Sequence, residues 1–220
     1  MFMNIKAVVF DLDGLMIDSE RLVQKTWNIA GEAMGYGQLG EHIYHTLGFN
    51  VQKRKAYFQA VYGQDFPFDE FRAKTREAWN TAIAKQHVPA KKGLYHLLDV
   101  LKQHDIKMGV ATSSSKEYAF GELKDKQIDA YFDAFVFGDM VKEAKPSPEI
   151  YLRSCELLQV EPRHAVALED SKHGIRSAYD AGMMSIFVPD LVSDSSDIDD
   201  IISAKLKDLD EVAQWILKHK

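Results

Sequence analysis

Val8-Val9-Phe10-Asp11-Leu12-Asp13-Gly14-Leu15-Met16-Ile17-Asp18-Ser19-Glu20 is the stretch whose reading decides the fold. The apolar run Ile5 to Phe10 that leads into it is β-branched or aromatic where it matters and too short for a helix, so it reads as a buried strand. It stops at two aspartates one residue apart, followed by glycine. Residues i and i+2 of an extended chain point to the same side. As the strand curls into a loop at Gly14, both carboxylates therefore project into one small space. Like charges that close repel, and one carboxyl takes up a proton unless a cation or a specific task holds it charged. A hard divalent cation such as Mg²⁺, with its preference for oxygen ligands, is the simplest resolution. Two loop aspartates that merely end a strand are the plain alternative.

Outward from this stretch the pattern turns helical. Asp18-Ser19 is N-cap chemistry, and Leu22, Val23, Trp27, Ala30 and Met34 follow at helical spacing until Gly35-Tyr36-Gly37. Lys53 to Tyr62, ended by Gly63, and a longer stretch marked by Phe68, Phe71, Trp79 and Ile83 continue it to about His87, where Val88-Pro89-Ala90 breaks it. No strand pattern interrupts this block.

The second half alternates. Helices are expected on Leu94, Leu97, Leu98 and Leu101, from Lys116 to Lys126, from an N-cap at Ser147 with Pro148 at the first position, and up to Gly182. Between them lie the strands Ile106 to Ala111, Ala134 to Phe137, Ala165 to Leu168 and Ser185 to Val188. The Asp- and Ser-rich stretch 190–200 reads as an exposed loop, and Leu209, Val212 and Ile216 mark a closing helix. This alternation predicts an α/β fold: a Rossmann-like doubly wound parallel sheet of five strands built from right-handed βαβ units. The helical block is then a small α-helical cap, residues 16–87, inserted into a discontinuous core of residues 1–15 and 88–220.

Bulk properties narrow the partners. A formal charge of −6 gives no reason to expect nucleic acid or an anionic membrane. Met1-Phe2-Met3-Asn4 leads directly into the first strand without a signal-peptide pattern, and no apolar run approaches membrane-spanning length. The one cysteine, Cys155, has no internal disulfide partner and reads as a core residue. These features predict a cytoplasmic protein.

In open parallel sheets, ligands bind outside the carboxyl ends of the strands. There the second strand runs into Ala111-Thr112-Ser113-Ser114-Ser115, where the Thr112 hydroxyl and the free amides of a helix start make an anion cradle or simply a cap. The third leads to Lys145-Pro146-Ser147-Pro148, with the lysine's loop stiffened by two prolines, and the fourth ends in Leu168-Glu169-Asp170-Ser171.

These four segments, in this order and spacing, resemble the motifs of the haloacid dehalogenase-like hydrolase superfamily. The inserted helices resemble the mobile cap of the branch that contains β-phosphoglucomutase and many sugar-phosphate phosphatases. The resemblance implies Asp11 as a nucleophile that forms an aspartyl-phosphate, and Asp13 as the general acid and base. It implies Thr112 and the Ser113 amide as phosphate ligands, and Lys145 as the group that orients Asp11 and offsets charge. Mg²⁺ would be held by Asp11, the backbone carbonyl of Asp13, and Asp170, with Glu169 as a direct or water-mediated fourth ligand. Ser171 would support them. Dehalogenases of the superfamily lack the second aspartate, so Asp13 points to phosphate chemistry. Mutases of the branch carry a histidine where this chain has Val23 and an arginine where it has Val51, so hydrolysis of a small phosphorylated metabolite is expected and a phosphomutase is the alternative. Phosphate-accepting receiver domains, a non-enzymatic class, have no such cap. The basic residues Lys53, Arg54, Lys55, Arg72, Lys74 and Arg76 read as a solvated helix face in preference to substrate contacts. A monomer is the default for such a capped enzyme.

Overall fold

The computed structural model describes residues 4–84 and 87–220; the lead-in Met1–Met3 and the end of the helical block at 85–86 lie outside the described residues. Strand β1 (Ala7–Phe10) is followed by the cap helices α1 (Glu20–Ala33), α2 (Ile43–Thr46), α3 (Val51–Tyr62) and α4 (Phe68–Ile83). The chain then alternates through α5 (Leu94–Gln103), β2 (Lys107–Thr112), α6 (Lys116–Asp125), β3 (Ala134–Phe137), α7 (Glu149–Leu158) and β4 (Ala165–Glu169). It closes with α8 (Lys172–Asp180), β5 (Met184–Phe187), β6 (Ala204–Lys205) and α9 (Leu209–His219).

All strand pairs are parallel, in the order β3-β2-β1-β4-β5-β6. The expected five-strand sheet is therefore six-stranded. The addition is β6, two residues long, whose neighbours extend the pairing through Ser203 N to Ser185 O and Leu206 N to Phe187 O. A two-residue strand has no room to show an alternating pattern.

Alternation along β1 shows why the sheet is covered on both faces. Val8 and Phe10 pack with α5 and α9 residues such as Leu97 and Val212, whereas Ala7 and Val9 face Ile150, Tyr151 and Ala178 of α7 and α8. The second face is lined by small residues, Ala7, Ala111, Ala165 and Ala167, which lets Tyr151 lie fully buried against it. Among the described residues no helix is long and apolar enough to cross a membrane.

The cap has a core of its own around Phe58, with Phe66 stacked on it and Trp27, Phe68 and Phe71 in edge or tilted contact, at ring-centroid distances of 4.9–6.0 Å. Two linkers join it to the sheet and run side by side: Asp18 N donates to Pro89 O and Lys91 N to Met16 O, both at 2.9 Å. Met16 and Ile17, expected on the cap side of the boundary, are buried in the core beneath this crossing.

Two further expectations change. Stretch 190–200 is not simply an exposed loop. The Asp190 carboxylate is buried between Arg21 and Lys91 at 2.8 and 2.7 Å, Leu191 and Val192 pack on the cap core, and Ile198 is fully buried. Helix α7 takes Pro148, not Ser147, as its N-cap, a shift of one position of the kind common at helix ends.

Candidate active site

The carboxyl ends of β1, β2 and β4 meet where the strand order reverses around β1, the place where doubly wound sheets bind ligands. Asp11 follows β1 directly. Gly14 turns the loop back with φ of +80°, and a Cβ there would lie 2.1 Å from Asp170 Oδ2, so only glycine lets the two loops approach.

Lys145 is the hub. Its Nζ donates to Asp11 Oδ1 at 2.6 Å, to Glu169 Oε1 at 2.5 Å and to Ala111 O at 3.0 Å, with the side chain only 1% exposed. Glu169 also accepts from Tyr151 OH at 2.6 Å on Oε1 and from Ser171 Oγ at 3.0 Å on Oε2. Both of its oxygens are thus engaged by protein donors. Asp170 differs: it is buried and its Oδ2 has no partner.

Charge in this pocket does not balance on its own. Three buried carboxylates face one ammonium. Burial, then Glu169 and Asp13, push the Asp11 carboxyl up to about 8 against the pull of Lys145, and burial followed by Asp11 raises Asp170 well above the usual range. Burial would lower the Lys145 ammonium, but Asp11 and Glu169 reverse that and hold it above its ordinary value. Carboxylate oxygens of Asp11, Glu169 and Asp170 lie within 4.8 Å of one another. The hard oxygen donors and the orphaned Asp170 Oδ2 fit a divalent cation, which this cluster could bind.

Asp13 points elsewhere. Its Oδ1 accepts from Ser19 Oγ at 2.7 Å and Tyr118 OH at 3.0 Å, and its Oδ2 accepts from Ser114 Oγ at 2.6 Å. Ser19, expected to cap α1, occupies the N-cap position but makes no capping hydrogen bond; its hydroxyl goes to Asp13. Thr112 is buried at the end of β2 and its Oγ1 accepts from Ser114 N at 3.1 Å. The Ser113 hydroxyl donates to Gly48 O of the cap at 2.9 Å. Asp13 and Ser113 line a cavity of about 270 Å³ that lies between cap and core.

Comparison with known proteins identifies the family. The family model described as haloacid dehalogenase-like hydrolase matches residues 8–188. The chain belongs to the haloacid dehalogenase-like hydrolase family. It is 32% identical over 185 residues to a phosphorylated carbohydrates phosphatase of Thermotoga maritima, covering 83% of this chain and 84% of that protein. It is also 32% identical over 200 residues to protein CbbY of Cereibacter sphaeroides, with 84% of each chain covered. Solved structures of CbbY from Rhodobacter sphaeroides, one with phosphate and one a mutant with xylulose-(1,5)bisphosphate, match with TM-scores of 0.80 and 0.81 at 27% identity, covering 94% of this chain and 96% of theirs. A solved structure described as a putative β-phosphoglucomutase from Thermotoga maritima matches with a TM-score of 0.77 at 26% identity, covering 97% of this chain and 99% of that one, so the chain is a hydrolase of the β-phosphoglucomutase-like branch that includes phosphatases.

The residues expected from the family motifs do come together: Asp11, Lys145, Glu169 and Asp170 at one point, with Thr112 and Ser113 on the neighbouring strand end. Asp13 has its side chain outside the acidic cluster, towards the cavity. The expected solvated face of basic cap residues is divided. Lys55 and Lys74 form surface pairs with Asp69 and Glu70, but Lys53 Nζ reaches Ala144 O and Lys145 O at 3.2 and 2.6 Å, and Arg54, Arg72 and Arg76 line the cavity. Four residues escaped the sequence reading: Ser114, Tyr118 and Tyr151 by their hydrogen bonds, and Glu20, buried at the start of α1. For Tyr151 there was a signal. It lies on the apolar face of its helix, and a buried tyrosine hydroxyl needs a partner.

Proposed function

We propose that this protein is a Mg²⁺-dependent phosphatase that hydrolyses a small phosphorylated metabolite, a sugar phosphate or a similar phosphomonoester, through an aspartyl-phosphate on Asp11. The observation that carries the reading is Lys145 bridging Asp11 and Glu169 beside the unpartnered Asp170, with Asp13 held apart on the cavity side. Asp11, Asp170 and the Asp13 backbone carbonyl would hold the cation, with Glu169 reaching it directly or through water. The bound ion supplies positive charge that lets phosphate approach a buried acidic cluster and offsets charge in the transition state.

The chemistry falls to the chain's own side chains. Asp11 attacks phosphorus and the bond to the leaving oxygen breaks, while Asp13 gives its proton to that oxygen. Water then attacks phosphorus, its proton passes to Asp13, and the Asp11–phosphorus bond breaks to release phosphate. The three hydroxyls around Asp13 suit both states. Each donates to the carboxylate, and a hydroxyl can rotate to accept once Asp13 carries the proton. Lys145 fixes Asp11 through one oxygen and adds a positive charge; Thr112 and the Ser113 amide bind the phosphoryl oxygens.

Val23 and Val51, at the two positions where the mutases carry histidine and arginine, both line the cavity and present apolar walls there. This favours water as the final acceptor. A phosphomutase is kept as a second reading because Arg54, Arg72 and Arg76 bring positive charge to the same cavity. One assay separates them: phosphate release over a panel of phosphorylated metabolites, with and without Mg²⁺, while hexose 1-phosphate isomerisation is followed. Mg²⁺-dependent release supports hydrolysis. Isomerisation without net release overturns it.

A further inference from the structure

We propose that Tyr118 is a positioning residue for proton transfer: with Ser19 it holds Asp13 by Oδ1 and leaves Oδ2 to carry the proton, while Trp79 of the cap holds Tyr118 in place. The proposal rests on the phosphatase reading of the same site and deepens it by assigning the transfer to one atom.

Each oxygen of a carboxylate has two lone pairs. On Asp13 Oδ1 both are taken, by Ser19 Oγ at 2.7 Å and Tyr118 OH at 3.0 Å. Among the described residues Oδ2 accepts from Ser114 Oγ alone, at 2.6 Å, so one of its lone pairs is open. The proton of the general acid therefore belongs on Oδ2. A serine hydroxyl turns about its C–O bond, so Ser114 can change from donor to acceptor when Oδ2 is protonated, while Ser19 and Tyr118 go on donating to Oδ1. In the first step the Oδ2–H bond breaks and the proton goes to the leaving oxygen as that oxygen parts from phosphorus. In the second, Oδ2 takes a proton from the attacking water and the acid is restored.

The donors to Oδ1 are held in different ways. Ser19 is fully buried at the entry to α1. Tyr118, in the first turn of α6, is only partly buried, and its donor stands at the tip of an apolar ring, so the hydroxyl is placed only if the ring is. Trp79 of α4 meets that ring edge-on, with centroids 5.7 Å apart and an interplanar angle of 71°. Trp79 and Tyr118 line both the cavity of about 270 Å³ and a second one of about 630 Å³, whose lining continues through Asn80, Ile83 and Glu122. The ring pair thus stands between the site and open space, and without Trp79 the phenol has room to swing away from Asp13. Packing alone would need only a ring at position 118. The hydroxyl is what ties that ring to the acid.

The test measures single-turnover release of the first product, with Mg²⁺, from p-nitrophenyl phosphate and from the best alkyl phosphate of a metabolite panel. The proteins are wild type, Tyr118→Phe, Trp79→Leu, Trp79→Phe and the double variant Tyr118→Phe/Trp79→Leu, each checked for cooperative melting. An alkoxide needs the proton and p-nitrophenolate does not, so the ratio of alcohol to p-nitrophenolate release reports the acid. Tyr118→Phe is expected to lower that ratio at least fivefold, with KM within twofold of wild type. Trp79→Leu should lower it at least threefold, and Trp79→Phe, which keeps a ring, should lose less than half as much. The double variant should match Tyr118→Phe within twofold, because both changes act through one hydrogen bond. If Trp79→Leu does not fold, Trp79→Phe and Tyr118→Phe still decide the hydrogen bond. A ratio unmoved in Tyr118→Phe, whether or not the protein melts lower, makes Tyr118 a packing residue and overturns the proposal while the phosphatase reading stands. A double variant whose loss is the product of the single losses overturns the part given to Trp79. Wild-type protein that releases neither product with Mg²⁺ overturns the phosphatase reading and this inference with it.

Discussion

Asp11 and Asp13 stand two residues apart, yet the structure gives them opposite surroundings. Asp11 has an ammonium at 2.6 Å and acidic neighbours, whereas Asp13 has three hydroxyls and a cavity. Their loss should therefore differ. Asp11→Asn is expected to lower kcat by about a thousandfold or more on every ester, with the melting temperature at or above wild type because a strained buried carboxylate is removed. Asp13→Asn should slow dephosphorylation for every ester but spare the first step, read as the single-turnover release of p-nitrophenolate, far more than the release of an alkyl alcohol; equal losses in that first step would contradict the acid role. Glu20 gives a pH prediction. Its folded carboxyl is raised from 4.5 to about 7, so between those values the folded state holds a proton that the unfolded state has released. That contribution is complete below the unfolded value and is lost as pH rises through the folded one. Glu20→Gln, which does not titrate, should gain roughly 2–3 kcal/mol on wild type between pH 5 and pH 8, read from denaturant melts at each pH. The aspartates could be read in advance because they lie on the strand ends themselves. Glu20 could not, since in sequence it is simply an acid in a helix's first turn.

Helix α3 shows what an element adds that its residues do not reveal singly. Asn50 caps it, its side chain accepting from Lys53 N at 2.9 Å, and this sets Lys53 towards the core and Arg54 towards the cavity. Lys53 Nζ then donates to the carbonyls of Ala144 and Lys145, so a cap helix grips the loop that carries the central lysine. Lys53→Met keeps most of the aliphatic stem and removes those donors. It is expected to lower kcat/KM about three- to tenfold with a change of less than about 1 kcal/mol in stability, and to speed hydrogen exchange in residues 46–50 of the cap. Unchanged exchange and turnover would show that the contact holds nothing shut. Apolar residues at helical spacing and the stops at Gly35, Gly63 and Pro89 located α1, α3 and α4, although α3 buries only Phe58 and α4 only Phe68 and Phe71. They could not divide the basic residues of α3 and α4 between water and cavity, because that depends on where the cap sits. Strand β6 was hidden for another reason: it is held by the backbone of β5 and has no pattern of its own.

Across the whole molecule, cap and core meet over a site whose charge is unbalanced. Lys145 neutralises one of the three carboxylates of Asp11, Glu169 and Asp170, and the chain as a whole is acidic. That a block of helices stands between β1 and β2 was legible because the alternation of strand and helix stops at Asp18 and resumes after Val88. How closely the acidic loops approach was not, because it is set by the packing of Gly14 against Asp170. This approach makes the folded state the better cation binder: unfolding separates residues 11 and 170 and disperses the ligands. A divalent ion should then stabilise by mass action, about 2.7 kcal/mol at a free concentration one hundred times its Kd, or roughly 5–10 °C in Tm for a chain of this size. Calorimetric melts in EDTA and in rising MgCl₂ test this without any substrate. Asp170→Asn sharpens the test by moving the two conditions in opposite directions. In EDTA the variant should melt above wild type, because a buried carboxylate with an unpartnered oxygen has gone. In saturating Mg²⁺ it should melt below wild type, because the ion has lost a ligand. A wild-type Tm that ignores Mg²⁺, or a variant that responds as wild type does, would place the cation elsewhere and leave the buried acids to be balanced by protons.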